Sequence, residues 1–278
     1  MPAQSLSVAF SLGAVGCWGI SDFLGGFVSR RADAYVITAI TNGCGLGVIA
    51  VACALGGSSV PPQTSVIWAL AAGASGGTAL AIFYRALAAG NMGLTAPVTA
   101  LLSAGIPTLV GIVLEGWPHA WQVAGFLLAG AAIWLISRSE SGFSPHGIGL
   151  AIISGIGFAG FYLCIRQARI GSAFWLAACS RLAAFACTAA IVLARRKFQP
   201  MQRDSAAWAG LAGCLDVTGS VLFVRAAQTG RLDSAVVLTS LYPVVTVLLA
   251  RIILKEHFTR WKTVGMVAAL LAVPLIAG

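Results

Sequence analysis

Apolar runs of about twenty residues, separated by short clusters of charge, limit what this chain can fold into. A helix needs ~20 apolar residues to cross a ~30 Å hydrocarbon layer. Ten runs meet that length or approach it: 5–28, 35–55, 66–88, 94–114, 120–137, 147–167, 173–194, 206–227, 234–254 and 260–277. They use almost all of the 278 residues, so the connections are short and any function must sit among the helices. Membrane strands are disfavoured, because a barrel strand alternates apolar and polar residues. Only 9% of residues are charged and 59% are hydrophobic, with a mean hydropathy of +0.92. Ordinary soluble domains carry roughly 25% charged residues, and this chain has too few to clothe a wet surface. The sequence therefore predicts an all-α, multi-pass membrane protein.

Met1 to Ser7 lacks the basic segment of a secretory signal, so the first run is expected to be a retained helix. Cys17, Cys44, Cys53, Cys164, Cys179, Cys187 and Cys214 all fall inside predicted spans without a C-x-x-C spacing. They read as small apolar packing residues. His119, His146 and His257 are scattered at span ends, and neither a zinc cluster nor a catalytic triad can be assembled from them.

Shifting the chain against itself by 140 residues reveals an internal repeat. Phe83, Arg85, Ala86, Gly90, Thr99, Leu101, Leu109, Ile112, Leu114, Trp121, Gly125, Ala129 and Ala132 meet identical residues at Phe223, Arg225, Ala226, Gly230, Thr239, Leu241, Leu249, Ile252, Leu254, Trp261, Gly265, Ala269 and Ala272. Random apolar sequence matches Leu and Ala this often, but seldom Arg, Gly, Thr and Trp in register. Each copy carries five predicted helices, over 5–137 and 147–277. An odd number of crossings sends the second copy into the membrane from the opposite side. The expectation is ten transmembrane helices built as two inverted five-helix repeats. Such halves have inward-open and outward-open packings of similar energy, with a binding site between them near the midplane.

Trp18-Gly19, the segment Tyr84-Arg85-Ala86-Leu87 followed by Gly90, the Pro-containing fourth and ninth runs, and Glu256 nine residues before Gly265 carry a resemblance over essentially the whole chain. The sequence resembles the drug/metabolite transporter superfamily with paired EamA domains. That resemblance implies export or exchange of small metabolites by a secondary mechanism, without naming a substrate.

Ionisable groups at the bilayer centre cost at least ~2.5 kcal/mol on insertion scales, so each needs a reason. Arg181 lies 14 residues before Arg195 and Asp216 lies 13 after Arg203, across one short connection. At 1.5 Å per residue both sit ~20 Å from that connection, where antiparallel neighbours can pair. Such a pair either fixes helix packing or opens when a substrate carboxylate competes for Arg181 or a proton for Asp216. Asp22 follows Trp18 by four residues and shares its helix face. It is either a coupling carboxylate or a solvated surface group. Arg85 and Arg225 read as cations at helix ends with snorkelling stems, or as gate residues.

Asn42, Tyr84, Thr99 and Tyr242 place hydrogen-bonding groups among apolar neighbours. Pro97, Pro107 and Pro243 remove backbone donors and can kink the fourth and ninth runs toward a cavity. For each, an ordinary interhelical bond or a static bend is the alternative. Gly43–Gly47 and Gly73–Gly77 are G-x-x-x-G pairs that read as close helix packing. Gly155, Gly157 and Gly160 spell a dinucleotide fingerprint, but without the preceding strand that gives it meaning.

Net charge +9 reflects membrane topology rather than nucleic-acid binding. Odd-numbered connections carry Arg30, Arg31, Arg85, Arg138, Arg195, Arg196, Lys197, Arg203, Arg251, Lys255, Arg260 and Lys262; even-numbered ones carry Arg166, Arg169, Arg225 and Arg231. The positive-inside rule then places both termini outside, whereas the family resemblance implies both inside. The sequence thus predicts a plasma (inner) membrane secondary transporter of a small organic metabolite, with a lipid-linked-substrate flippase or a lipid-acting membrane enzyme as the alternative. Its expected partners are the small-molecule substrate, the lipid bilayer and, for coupling, a proton. A homodimer is compatible with the sequence, and neither an enzymatic activity, a cofactor nor a metal is expected.

Overall fold

The structure is a computed structural model that describes residues 3–56, 59–88, 92–137, 145–168, 170–196, 202–254 and 259–277. Gly90, Arg138, Arg169, Lys197, Lys255, Glu256 and His257 lie outside the described residues, as do the side chains of Pro97, Glu115, His146, Lys262 and Ala269. Eleven helices and no strand occur among the described residues: α1 Ala3–Ser29, α2 Ala34–Leu55, α3 Gln63–Ala88, α4 Met92–Glu115, α5 Ala120–Ser137, α6 Pro145–Gln167, α7 Ala173–Arg195, α8 Arg203–Thr229, α9 Leu232–Thr239, α10 Tyr242–Ile253 and α11 Arg260–Ala277. Helices are what an apolar chain adopts in lipid, since each backbone donor and acceptor must be satisfied within the segment. By length and hydropathy α1, α2, α3, α6, α7, α8 and the stretch of α9 with α10 can each cross a membrane. Shorter apolar stretches run over Val98–Leu114 and Ala120–Leu135.

The stretch expected as one helix over 234–254 is two. Pro243 has no N–H to give the Thr239 carbonyl, so the ladder is interrupted there. The chain tightens instead, with the Leu241 N–H donating to the Leu238 carbonyl at 3.1 Å before α10 resumes at Tyr242. α4 behaves differently and runs unbroken through Pro107.

The interior is built from small residues. Gly73 and Gly77 of α3 lie against the backbone at Ser180 and Ala184 of α7, and Gly213 of α8 lies on the Thr41 carbonyl of α2; a Cβ at any of the three would collide. The other G-x-x-x-G pair does not act as a unit. Gly43 faces the Phe185 ring, but Gly47 faces open space, and it is Gly45 that meets the Gly213 carbonyl. Large apolar side chains point outward instead: Val113 is 81% exposed, Leu127 71% and Leu109 67%. A surface of that kind is stable only against lipid or another apolar partner.

Connections gather at two ends of the bundle. At one end Asp33 caps α2 through the Tyr35 and Val36 N–H groups and approaches Arg195 at the end of α7, while Arg85 at the end of α3 donates to the Tyr35 hydroxyl. At the other, Ser7 donates to the Ala226 carbonyl, and Arg231 donates to the carbonyl of Gly116. Gly116, with φ +85°, makes the left-handed turn that ends α4.

Candidate functional site

A partly open cavity, with about 610 Å³ of empty space when its mouth is included, lies in the bundle and is lined by residues of α1, α2, α3, α4, α6, α7, α8 and α10. The glycines of α3 admit it on one side, where Gly73, Gly76 and Gly77 present no side chain. Facing them are an aromatic wall of Trp18, Phe158, Phe161, Tyr162 and Tyr242 and a polar group of Asp22, Asn42, Arg181, Asp216 and Ser220.

Arg181 anchors the polar group. Its Nη1 donates to Asp216 Oδ2 at 2.5 Å and to Asn42 Oδ1 at 2.7 Å, and its Nη2 donates to Ser220 Oγ at 2.9 Å. The Arg181 side chain is buried at 8% exposure, and that of Asp216 is nearly so at 13%. The network continues outward, since Asn42 donates to Thr188 Oγ1 at 3.4 Å and Ser220 Oγ donates to the Asp216 carbonyl at 2.9 Å. A buried pair of this kind needs such extra bonds, because mutual attraction alone does not offset the cost of leaving water. The Arg181 Nε remains buried without a partner among the described residues.

Trp18 joins this network to the aromatic wall. Its Nε1 donates to the Asp216 carbonyl at 3.2 Å, and its ring packs against Phe223, Tyr162 and Phe161 with centroids at 5.6, 6.2 and 6.4 Å. Gly219 makes room for the indole on α8. One turn later Asp22 is 8% exposed and lines the cavity, with no hydrogen bond or ion pair among the described residues. It is therefore not the solvated surface group that its neighbours Arg30 and Arg31 allowed. Tyr242 begins α10 beside the break and presents to the cavity a hydroxyl that is buried and unpartnered.

Of the eight residues singled out in the sequence, Trp18, Asp22, Asn42, Arg181, Asp216 and Tyr242 are thus brought to one cavity. Tyr84 and Thr99 are not. Tyr84 is fully buried over Gly25 and its hydroxyl donates to the Ser21 carbonyl at 3.4 Å, while Thr99 Oγ1 donates to the Ala151 carbonyl at 3.1 Å and meets Ser154 Oγ. Both tie helices together. Ser220, Phe158 and Tyr162 were missed. Ser220 was legible in principle as the residue one turn after Asp216, but nothing in an apolar helix marks which aromatic faces inward. The pair of Arg231 with the fully buried Asp233, at 2.7 Å on the first turn of α9, was also overlooked. No group of three or more His, Cys, Asp or Glu able to hold a metal occurs among the described residues.

A crystal structure of a protein superimposes on this chain with a TM-score of 0.76, covering 98% of this chain and 96% of that one at 19% identity, which shows a shared fold. None of the curated proteins matches the sequence. Residues 145–278 match the EamA-like transporter family. With seven membrane-length apolar helices among the described residues the chain is a multi-pass membrane protein, and its second half, 145–278, is similar to the EamA-like transporter family.

Proposed function

We propose that the protein is a secondary transporter of the plasma membrane that exports or exchanges a small organic metabolite by alternating access, with the cavity around Arg181, Asp216 and Asp22 as its binding site. The observation that carries this reading is the cavity itself, a polar and aromatic chamber enclosed by helices from both copies of the sequence repeat. Small-ligand pockets are lined in the same way, largely apolar with a few convergent polar groups.

The packing supports an inverted duplication. α1 packs mainly on α8 and α3 mainly on α6, a pairing that the 140-residue shift interchanges. At equivalent positions, Phe83 meets Phe158 with centroids 5.8 Å apart and Phe223 meets Trp18 at 5.6 Å. Gly73 against Ser180 likewise corresponds, within one residue, to Gly213 against Thr41. Two halves related in this way rock about the site between them, and a discontinuous helix beside the site, here α9–α10, is a recurrent feature of such carriers.

In this reading Asp22 and Asp216 carry the coupling proton. The groups facing Asp22 are Asp216 on α8, Tyr84 on α3, Tyr162 on α6 and Tyr242 on α10, while Arg181 on α7 and Cys17 on α1 stand near Asp216. The test is flux in liposomes reconstituted with purified protein. An imposed pH gradient drives accumulation by the wild type, and the double variant Arg181→Met/Asp216→Leu inserts normally but moves no substrate. Undiminished flux in the double variant removes the pair from the mechanism, and flux indifferent to the gradient removes the proton.

A further inference from the structure

The transport reading leaves the substrate class open, and the charge distribution in the cavity narrows it. Two carboxylates and one guanidinium line the chamber. The guanidinium is largely committed, because Nη1 and Nη2 of Arg181 bind Asp216, Asn42 and Ser220, which leaves its Nε and one Nη2 hydrogen to donate. Asp22 is not committed. It is more than nine-tenths buried, it opens on the cavity, and no described residue donates to it. A carboxylate taken from water without a partner is costly unless a cation or a proton meets it there. No described residue supplies that cation, so once Asp22 has given up the coupling proton the open position is a ligand's.

Two further observations place the rest of such a ligand. The Tyr242 hydroxyl, on a cavity-lining residue only 5% exposed, is a second buried polar group without a partner among the described residues. Trp18, Phe161 and Tyr162 form a continuous cluster with ring centroids 5.5 to 6.4 Å apart. Aromatic faces attract a desolvated cation through their quadrupoles, and they are indifferent or repulsive to an anion.

We propose that the cavity takes a small organic cation, a protonated amine or alkylammonium, whose charge sits on the Asp22 carboxylate beside Trp18 and Tyr162 and whose hydrogen-bonding end meets the Tyr242 hydroxyl. This deepens the transport reading of the same site and rests on it. A carboxylate ligand would have to displace Asp216 from Arg181 and would face Asp22 unscreened.

The test compares four probes of one shape on the full-length protein in detergent: phenethylamine, neutral 2-phenylethanol, anionic phenylacetate and zwitterionic phenylalanine. Isothermal titration is expected to show phenethylamine bound at least tenfold more tightly than the other three. Asp22→Asn then removes that preference by tenfold or more while leaving the weak affinity for 2-phenylethanol as it was. Tyr242→Phe weakens phenethylamine several-fold. Equal affinities, a preference for phenylacetate or phenylalanine, or no binding of any of the four overturns the proposal on the wild type alone, whatever the variants do. Liposome flux separates the two readings. Phenethylamine bound but not moved sustains the cation site and defeats transport. Movement of phenylacetate without phenethylamine binding does the reverse.

Discussion

At the scale of single residues, the buried pair sets up a contrast between removing one partner and removing both. Arg181 and Asp216 are almost out of water, and the guanidinium holds two further side chains, Asn42 and Ser220, in the same network. Losing one member leaves an uncompensated charge in a low-dielectric interior, which costs about 3–5 kcal/mol, whereas replacing both with apolar side chains of similar volume is often close to neutral. Asp216→Leu alone is therefore expected to lower stability in detergent unfolding by several kcal/mol, and Arg181→Met/Asp216→Leu to recover most of it. If the double variant is as unstable as the single, the pair holds the fold and is not a separable functional element. The pairing was legible in the sequence because depth along a helix follows from residue count, and 14 residues before Arg195 and 13 after Arg203 reach one level. What residue count does not supply is azimuth. Tyr162 became visible only when neighbouring helices fixed which face of α6 is inside.

At the scale of the helix, the sequence marks where a run is apolar but not what it packs against. The two G-x-x-x-G pairs look alike in the sequence, and only Gly73–Gly77 has a backbone pressed on both of its members. The difference lies in the partner: α7 offers the small residues Ser180 and Ala184 to α3, while opposite Gly43 stands Phe185. A methyl group at Gly73 or Gly213 has nowhere to go without separating helices, and overpacking of that kind costs about 1–3 kcal/mol. At Gly47 the space is open, and Ala is the better helix former by ~1 kcal/mol. Gly73→Ala and Gly213→Ala are expected to lower the unfolding midpoint and Gly47→Ala to raise it or leave it unchanged; a fall of equal size in all three would mean that α2 has a partner at Gly47 in the membrane. The break between α9 and α10 was half legible. Pro243 announced a lost donor, but Pro107 made the same announcement in α4 and the helix continues through it. All eight residues of α9 are buried, so its short ladder is held by packing on every side and the interruption is tolerated.

At the scale of the whole molecule, the two ends of the bundle are closed by different devices. At the Arg-rich end, the Tyr35 ring of α2 lies under Arg195 of α7, with the guanidinium carbon 4.1 Å from the ring centroid, and its hydroxyl accepts from Arg85 of α3 at 3.0 Å. Arg195 also stands 3.6 Å from Asp33. These contacts join α2 and α3 to α7, so they span the two copies of the repeat. At the opposite end, Arg231 binds Asp233 and reaches across to the Gly116 carbonyl at the close of α4. If the halves rock about the cavity, the ties at an end must part when that end opens. Exposed ion pairs and cation–π contacts are worth about 0.5–1 kcal/mol each, so removing the Tyr35 ring shifts a two-state balance severalfold without unfolding anything. The test takes this end as cytoplasmic and both termini as outside, which the surplus of Lys and Arg on odd-numbered connections predicts. In inverted vesicles of a variant freed of its native cysteines and carrying Ser180→Cys in the cavity wall, Tyr35→Ala is expected to speed labelling by a membrane-impermeant thiol reagent severalfold. In right-side-out cells the same change should slow it. Faster labelling in cells instead would reverse the orientation, and a rate unchanged from both sides would mean that Tyr35 holds no gate and that the two ends do not open in turn.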